Sequence, residues 1–333
     1  MPKISVIGAG AFGSALAIYS KKIGYDVNVW CFEKDLPGIV RDKGENELYL
    51  PGCPIDRSVV FTNDPQQALN DADLVVIVCP WAHMRSTSAL VAPLIPEKAL
   101  IVSAAKGIEN GTLKLMSQVL DETLEKHKDR LTYISGPSFA RDVAMGLPTD
   151  LACASENIET ARKVQKMLHS PALRIYAQDD VIGTELGGAL KNVIAVACGA
   201  ADGLSLGASA RASLMTRGLA EMTRLGTSMG AKPLTFLGLA GVGDLILTCT
   251  GDLSRNRTLG MRIAKGEKAK DVIASQKAVA EGFVTAKPAM ELAAKQGVDM
   301  PITTGVYKVC YEEADLKRQA MALMTRDEKD ENA

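Results

Sequence analysis

Histidine is nearly missing from this 333-residue chain, and the three present, His83, His127 and His169, lie too far apart to form a ligand pattern. That leaves little basis for a metal site. Aromatic residues make up only 5% and the formal net charge is −1. Without a basic stripe interleaved with aromatics a nucleic-acid module is disfavoured, and nothing draws the chain broadly to an anionic membrane, although a local basic site stays compatible with that balance. No C-x-x-C pair occurs among the seven cysteines, which are scattered and odd in number; this is the usage of packed, reduced thiols in a cytosolic protein. No leader is expected either, because a strand pattern already begins at residue 3, so cytoplasm is the expected compartment. Repeats and low-complexity segments are lacking, and 47% hydrophobic with 23% charged residues are ordinary globular values. The length suggests about two domains.

What is present starts at once. Residues 3–7 read as a buried strand and residues 14–23 as a helix, joined by Gly8-Ala9-Gly10-Ala11-Phe12-Gly13. Gly8 permits a tight turn, Gly10 lets backbone approach a pyrophosphate, and Gly13 lets the helix pack on its strand. The helix start then aims unpaired N–H groups at anionic oxygens, which points to a dinucleotide. A glycine-rich turn alone would say little; the strand before it and the helix after it make the motif informative.

Further apolar runs at 26–30, 59–62, 74–78, 99–103, 131–135, 151–154 and 173–177 alternate with helical stretches. Such alternation predicts an α/β domain whose mostly parallel sheet is covered on both faces. Beyond Asp179 strand signals fade and alanine- and leucine-rich helical patterns take over. The expected division is therefore 1–178 for a dinucleotide-binding domain and 179–333 for an all-helical substrate domain.

Residues 186–201 contain only two polar side chains, Lys191 and Asn192, so a helix built from them is apolar on every face and belongs in an interior. A membrane span is the rival, but sixteen residues with a central lysine fall short of the roughly twenty required, and Asp202 follows directly. Most helical lysines lie on solvated faces; this helix lacks one. Burial disfavours an ammonium and brings its pKa from about 10.4 toward neutrality, where it exchanges protons. Lys191 is thus the candidate acid/base.

Lys106 leaves the carboxyl end of the strand at 99–103, where ligands sit in such sheets, although an ordinary loop lysine fits the same pattern. The stretch from Ser135 to Ala140 offers backbone N–H groups and a Ser138 helix cap, suited to an anion or to capping alone. Ser254-Arg255-Asn256-Arg257 opens another helix with Ser254 as N-cap. Cations oppose the helix dipole there, at a cost of a few tenths of a kcal/mol, unless an anion compensates them. A phosphate gripped by Arg255, Asn256 and backbone amides does so, and a pair of surface arginines is the alternative. Asp244, in an apolar glycine-rich run, either caps a helix or binds a hydroxyl or a lysine.

Together these features resemble the bacterial NAD(P)-dependent glycerol-3-phosphate dehydrogenases. The resemblance runs through VIGAGAFGSALA, SAAKGIE, ISGPSFA, GGALKNVIA, TRGLAEMTRLG, GLAGVGDLILTCT, SRNR and VDMPIT, nearly the whole chain. It implies a Rossmann-type domain with a helical second domain, usually as a homodimer. The implied reaction is reversible reduction of dihydroxyacetone phosphate to sn-glycerol 3-phosphate, the entry step to glycerophospholipids. Carried over by position, Lys191 would exchange the proton and Lys106 would stabilise charge on the reacting oxygen. Lys106, Gly136, Ser138, Asp244, Ser254, Arg255 and Asn256 would hold the substrate. Gly8, Gly10, Ala11, Phe12, Gly13, Lys106, Ala140, Arg255, Val279 and Glu281 would hold the cofactor.

One departure concerns the adenosine end. The family commonly has histidine or arginine where Phe32 stands. Phe32 cannot pair with a 2′-phosphate but suits stacking on adenine, and Glu33, twenty residues past Gly13, suits a ribose hydroxyl. Lys34 pulls the other way, and the balance leans to NAD over NADP. A 3-hydroxyacid dehydrogenase of similar build is the alternative, yet it needs no phosphate clamp. A non-catalytic nucleotide sensor would lack the lysine or the clamp, and both are present.

Overall fold

The structure, a computed structural model, describes residues 2–275, 280–328, 330 and 331. Its strands are β1 (Lys3–Ile7), β2 (Asp26–Trp30), β3 (Glu45–Asn46), β4 (Leu50–Pro54), β5 (Val60–Thr62), β6 (Leu74–Ile77), β7 (Leu100–Ser103), β8 (Leu131–Ser135), β9 (Thr149–Ala154) and β10 (Leu173–Gln178). Eight of them form one sheet in the order β10-β9-β8-β7-β6-β1-β2-β5. β1 lies between β2 and β6, parallel to both, and all its residues after Lys3 are buried. That double burial is why its sequence reads as an unbroken apolar run. The chain moves outward from β1 to β2 and later returns to the other side of β1 as β6. Such a reversal opens a crevice at the carboxyl ends of the strands.

The predicted strands are present with shifts of one or two residues at their ends, and the sheet is mostly parallel. One junction departs from that: β8 pairs antiparallel with β9, while β9 and β10 are parallel to each other. The ribbon β3–β4 was not anticipated. No strand follows Gln178 among the described residues.

The chain forms two compact units, one of residues 1–188 and 230–244, the other of 189–229 and 245–333. The division falls inside the helix Val181–Gly203. In the first unit the helix Ala11–Lys22 is buried from Gly13 to Ser20. A side chain at position 13 would put its Cβ 1.9 Å from the Gly8 carbonyl oxygen, so only glycine permits this packing.

In the second unit Val193 and Val196 pack with Leu259, Val272, Ala286 and Val306. Each buried valine or leucine contributes about 1.5–3 kcal/mol relative to exposure. Backbones also approach closely there: a Cβ on Gly199 would lie 1.9 Å from the Arg257 carbonyl oxygen. The helix Val181–Gly203 is long and apolar enough to cross a membrane, yet 83% of its most apolar window is buried inside the protein, as in a core helix. The segment Pro233–Thr250 meets the same length and composition test, with 44% burial. All seven cysteines are free and buried, and burial pushes the Cys31, Cys153 and Cys310 thiols up to about 12. They act as small apolar packing groups.

Candidate functional site

In the first unit the glycine turn leaves β1 and enters the helix Ala11–Lys22, whose N-cap, Gly10, supplies no side-chain cap. The first turn carries no acidic residue that would compete with an anion. A Cβ built on Gly10 meets nothing within 4 Å, so open space faces the backbone where a pyrophosphate is to approach. These residues fit a dinucleotide.

Lys106 follows β7 in the chain, and its Nζ lies 5.7 Å from the centre of the Phe12 ring and 4.0 Å from Asp244 Oδ2. Its side chain is only 15% exposed, which is not the setting of a solvated loop lysine. Asp244 is 1% exposed and opens the helix Asp244–Thr250; Ser135 Oγ donates to it at 3.5 Å, a long contact. Phe12, Lys106 and Asp244 are thus gathered beside the nucleotide turn.

The Ser138 cap expected from the sequence is not formed. Phe139 is the N-cap of the helix Ala140–Met145 and provides no side-chain bond, while Ser138 Oγ donates to the Gly136 carbonyl at 3.0 Å. The helix begins one residue later than the pattern suggests, so Phe139 rather than Ser138 takes the capping position, and the Ser138 hydroxyl closes a local turn instead.

In the second unit Lys191 is 8% exposed, with Leu190, Val193 and Ile194 fully buried around it in sequence. Asn192 joins three elements. Its Nδ2 donates to Glu281 Oε2 at 2.9 Å, and its Oδ1 accepts from Asn256 Nδ2 at 2.8 Å. Asn256 Oδ1 in turn accepts from the Gly282 N–H at 2.8 Å. Glu281 heads the helix Glu281–Gln296, where a carboxylate favours the dipole. Val279 lies outside the described residues.

Ser254 is the N-cap of the helix Arg255–Ala264 and accepts from the Arg257 N–H at 3.2 Å. The two arginines of this first turn differ. Arg257 donates to Asp202 Oδ2 at 2.8 Å and to Asp252 Oδ1 at 3.1 Å, so the protein itself neutralises it. Of the two outcomes the sequence leaves open, an external anion or a pair of surface arginines, Arg257 takes neither: Asp202 compensates it from within the protein. Arg255 is exposed and pairs with no carboxylate among the described residues. It keeps a fork of donors at a helix start.

Three residues outside the sequence-level set matter here. Asp202 also accepts from Arg211 at 2.9 Å, so one carboxylate ties two arginines. Asn192 acts through side-chain bonds spanning 64 and 89 residues, which no local pattern displays. Tyr49, in the turn between β3 and β4, donates to Glu33 Oε1 at 2.6 Å. The contact spans 16 residues, and no local pattern displays it.

A nucleotide-binding α/β unit and a helical unit with an arginine-bearing helix start define the class: a dinucleotide-dependent enzyme acting on an anionic small molecule. Comparison with known proteins narrows this. Residues 3–161 match the model for the NAD-dependent glycerol-3-phosphate dehydrogenase N-terminus, and residues 180–321 match that for its C-terminus. The glycerol-3-phosphate dehydrogenase [NAD(P)+] of Geobacter metallireducens is 48% identical over 330 residues, 99% of this chain and 98% of that protein. The crystal structure of glycerol-3-phosphate dehydrogenase from Coxiella burnetii superposes with a TM-score of 0.92 at 35% identity, covering 98% and 99% of the two chains. D-mandelate dehydrogenase with NADH, at 12% identity and a TM-score of 0.64 over 97% of this chain and 100% of that one, shares the fold alone. The chain belongs to the NAD-dependent glycerol-3-phosphate dehydrogenase family.

Proposed function

We propose that this chain reversibly reduces dihydroxyacetone phosphate to sn-glycerol 3-phosphate with NADH or NADPH. The full-length similarity to dehydrogenases of that name carries the reading. Residues 1–178 chiefly serve the dinucleotide and 179–333 chiefly the substrate, with each lending a few residues to the other's ligand. When bound, the dinucleotide supplies or accepts the hydride at the secondary carbon.

The chain's own residues do the rest. Lys191 gives a proton to the C2 oxygen during reduction and takes it back during oxidation, so the hydride and the proton together complete the alcohol. Lys106, held beside Asp244, stabilises negative charge developing on that oxygen. Arg255, Ser254 and Asn256 bind the phosphate, with Gly136 and Ser138 contributing to the substrate; binding a group remote from the reacting carbon fixes its orientation. Gly8, Gly10 and Gly13 with Ala11, Phe12, Ala140, Glu281 and Val279 serve the cofactor. The enzyme acts as a homodimer in the cytoplasm, and its product enters glycerophospholipid synthesis.

The test is direct. Purified protein mixed with dihydroxyacetone phosphate and reduced cofactor is expected to consume the nicotinamide absorbance in proportion to glycerol 3-phosphate formed. Absence of turnover with both cofactors, in protein shown to be folded, refutes the reading.

A further inference from the structure

Glu33 stands just past the carboxyl end of β2, and its setting is built rather than incidental. The Asn63 side chain donates to the carbonyls of both Cys31 and Glu33, at 2.9 and 3.0 Å, which fixes the backbone on either side of Phe32. Asn63 is itself held through its own carbonyl, which accepts from Trp30 Nε1 at 3.1 Å. The carbonyl of Trp30 accepts from the Gly8 N–H at 3.1 Å, so this rim is tied to the nucleotide turn. The Glu33 side chain is then aimed by Tyr49, whose hydroxyl donates to Oε1 at 2.6 Å. Burial first, then the bond to Glu33, pushes the Tyr49 phenol up to about 12, so it remains a donor through the neutral range. One carboxylate oxygen is thereby occupied and the other keeps its lone pairs. Between the two anchored carbonyls, the Phe32 ring is 81% exposed.

We infer that Phe32, Glu33 and Tyr49 make this enzyme select NAD(H) over NADP(H). The inference deepens the dehydrogenase reading and rests on it. An ionised carboxylate is an acceptor only. It therefore matches a ribose 2′-hydroxyl, which has a proton to give, and opposes a 2′-phosphate monoester carrying about −1.5 to −2 charge near neutrality. Tyr49 holds Glu33 in place, which removes the easiest escape, rotation of the carboxylate away from the phosphate. Exposed Phe32 offers a flat apolar face to adenine and lacks the cation that a 2′-phosphate requires. Lys34 is the adjacent counterweight, exposed to solvent, where an ammonium is well screened.

Direct titration of the protein with NADH and with NADPH, followed by nicotinamide fluorescence or calorimetry without substrate, tests this. NADH is expected to bind at least about tenfold more tightly, a charge-pair effect of ordinary size. Glu33→Gln removes the charge and supplies an N–H, and is expected to shrink that ratio at least about fivefold, mainly by tightening NADPH. Tyr49→Phe frees the carboxylate and is expected to shrink it partway. Phe32→Ala is expected to weaken both cofactors alike. Equal affinities in the parent protein, a ratio unmoved in Glu33→Gln, or an NADPH preference that vanishes in Lys34→Ala each overturn the inference. Failure to bind either cofactor strikes the dehydrogenase reading instead, so the two failures are distinguishable.

Discussion

Asp202 ties up Arg257 and leaves the neighbouring Arg255 without a carboxylate partner among the described residues. It engages Arg257 at 2.8 Å and Arg211 at 2.9 Å, so the helix start that carries Arg255 is braced from the far end of the helix Val181–Gly203. Replacing it with asparagine keeps the volume and removes the charge. We expect Asp202→Asn to raise KM for the phosphorylated substrate about three- to tenfold while kcat changes by less than about threefold, the split for a residue that positions ground-state binding. A proportional fall in kcat with KM unchanged would place Asp202 in the chemistry instead. Little of this was legible beforehand. Ser254 as N-cap and Lys191 in an apolar helix follow from local pattern, because capping and amphipathicity are properties of neighbouring residues. The Asp202–Arg257 pair spans 55 residues and is created by tertiary packing alone. Ser138 is not a cap because the helix starts one residue later, at Ala140 with Phe139 as N-cap, a shift within the ordinary uncertainty of reading a helix boundary from sequence.

At the level of elements, carboxylates borrowed from elsewhere finish two helices. Glu185 accepts from the Ser117 N–H at 2.8 Å and from its hydroxyl, at the start of the helix Met116–Thr123. Glu221 accepts from Ile302 N–H at 2.6 Å and from Thr303 N–H and hydroxyl at 3.1 and 2.9 Å, at the start of the helix Pro301–Tyr311. Burial outweighs these bonds and pushes each carboxyl from 4.5 up to about 7. Between those values the folded chain holds protons that the unfolded chain has released. The stabilisation from these groups is complete below about 4.5 and is lost as pH rises through about 7. Urea unfolding of Glu221→Gln is therefore expected to show a shallower loss of stability between about pH 5 and about pH 8 than the parent, by about 1 kcal/mol or more. Identical slopes would contradict it. The sheet strands were readable because double burial writes a continuous apolar run. The ribbon β3–β4 was not, since Leu50-Pro51-Gly52-Cys53-Pro54 carries two prolines and a glycine, which argue against a strand unless it lies at an edge.

For the whole molecule, the order of chemistry along the chain was legible: a nucleotide turn first, then an all-helical portion carrying a buried lysine and an arginine-bearing helix start. The chain's place in the glycerol-3-phosphate dehydrogenase family accords with that order over nearly its full length. The central claim is that Lys191 moves the proton. Lys191→Ala, measured in parallel for turnover of dihydroxyacetone phosphate and for binding of reduced cofactor, tests it most directly. The account predicts a loss of kcat of about 10²–10⁴ or more with cofactor affinity nearly unchanged. Turnover within about tenfold of the parent would contradict it.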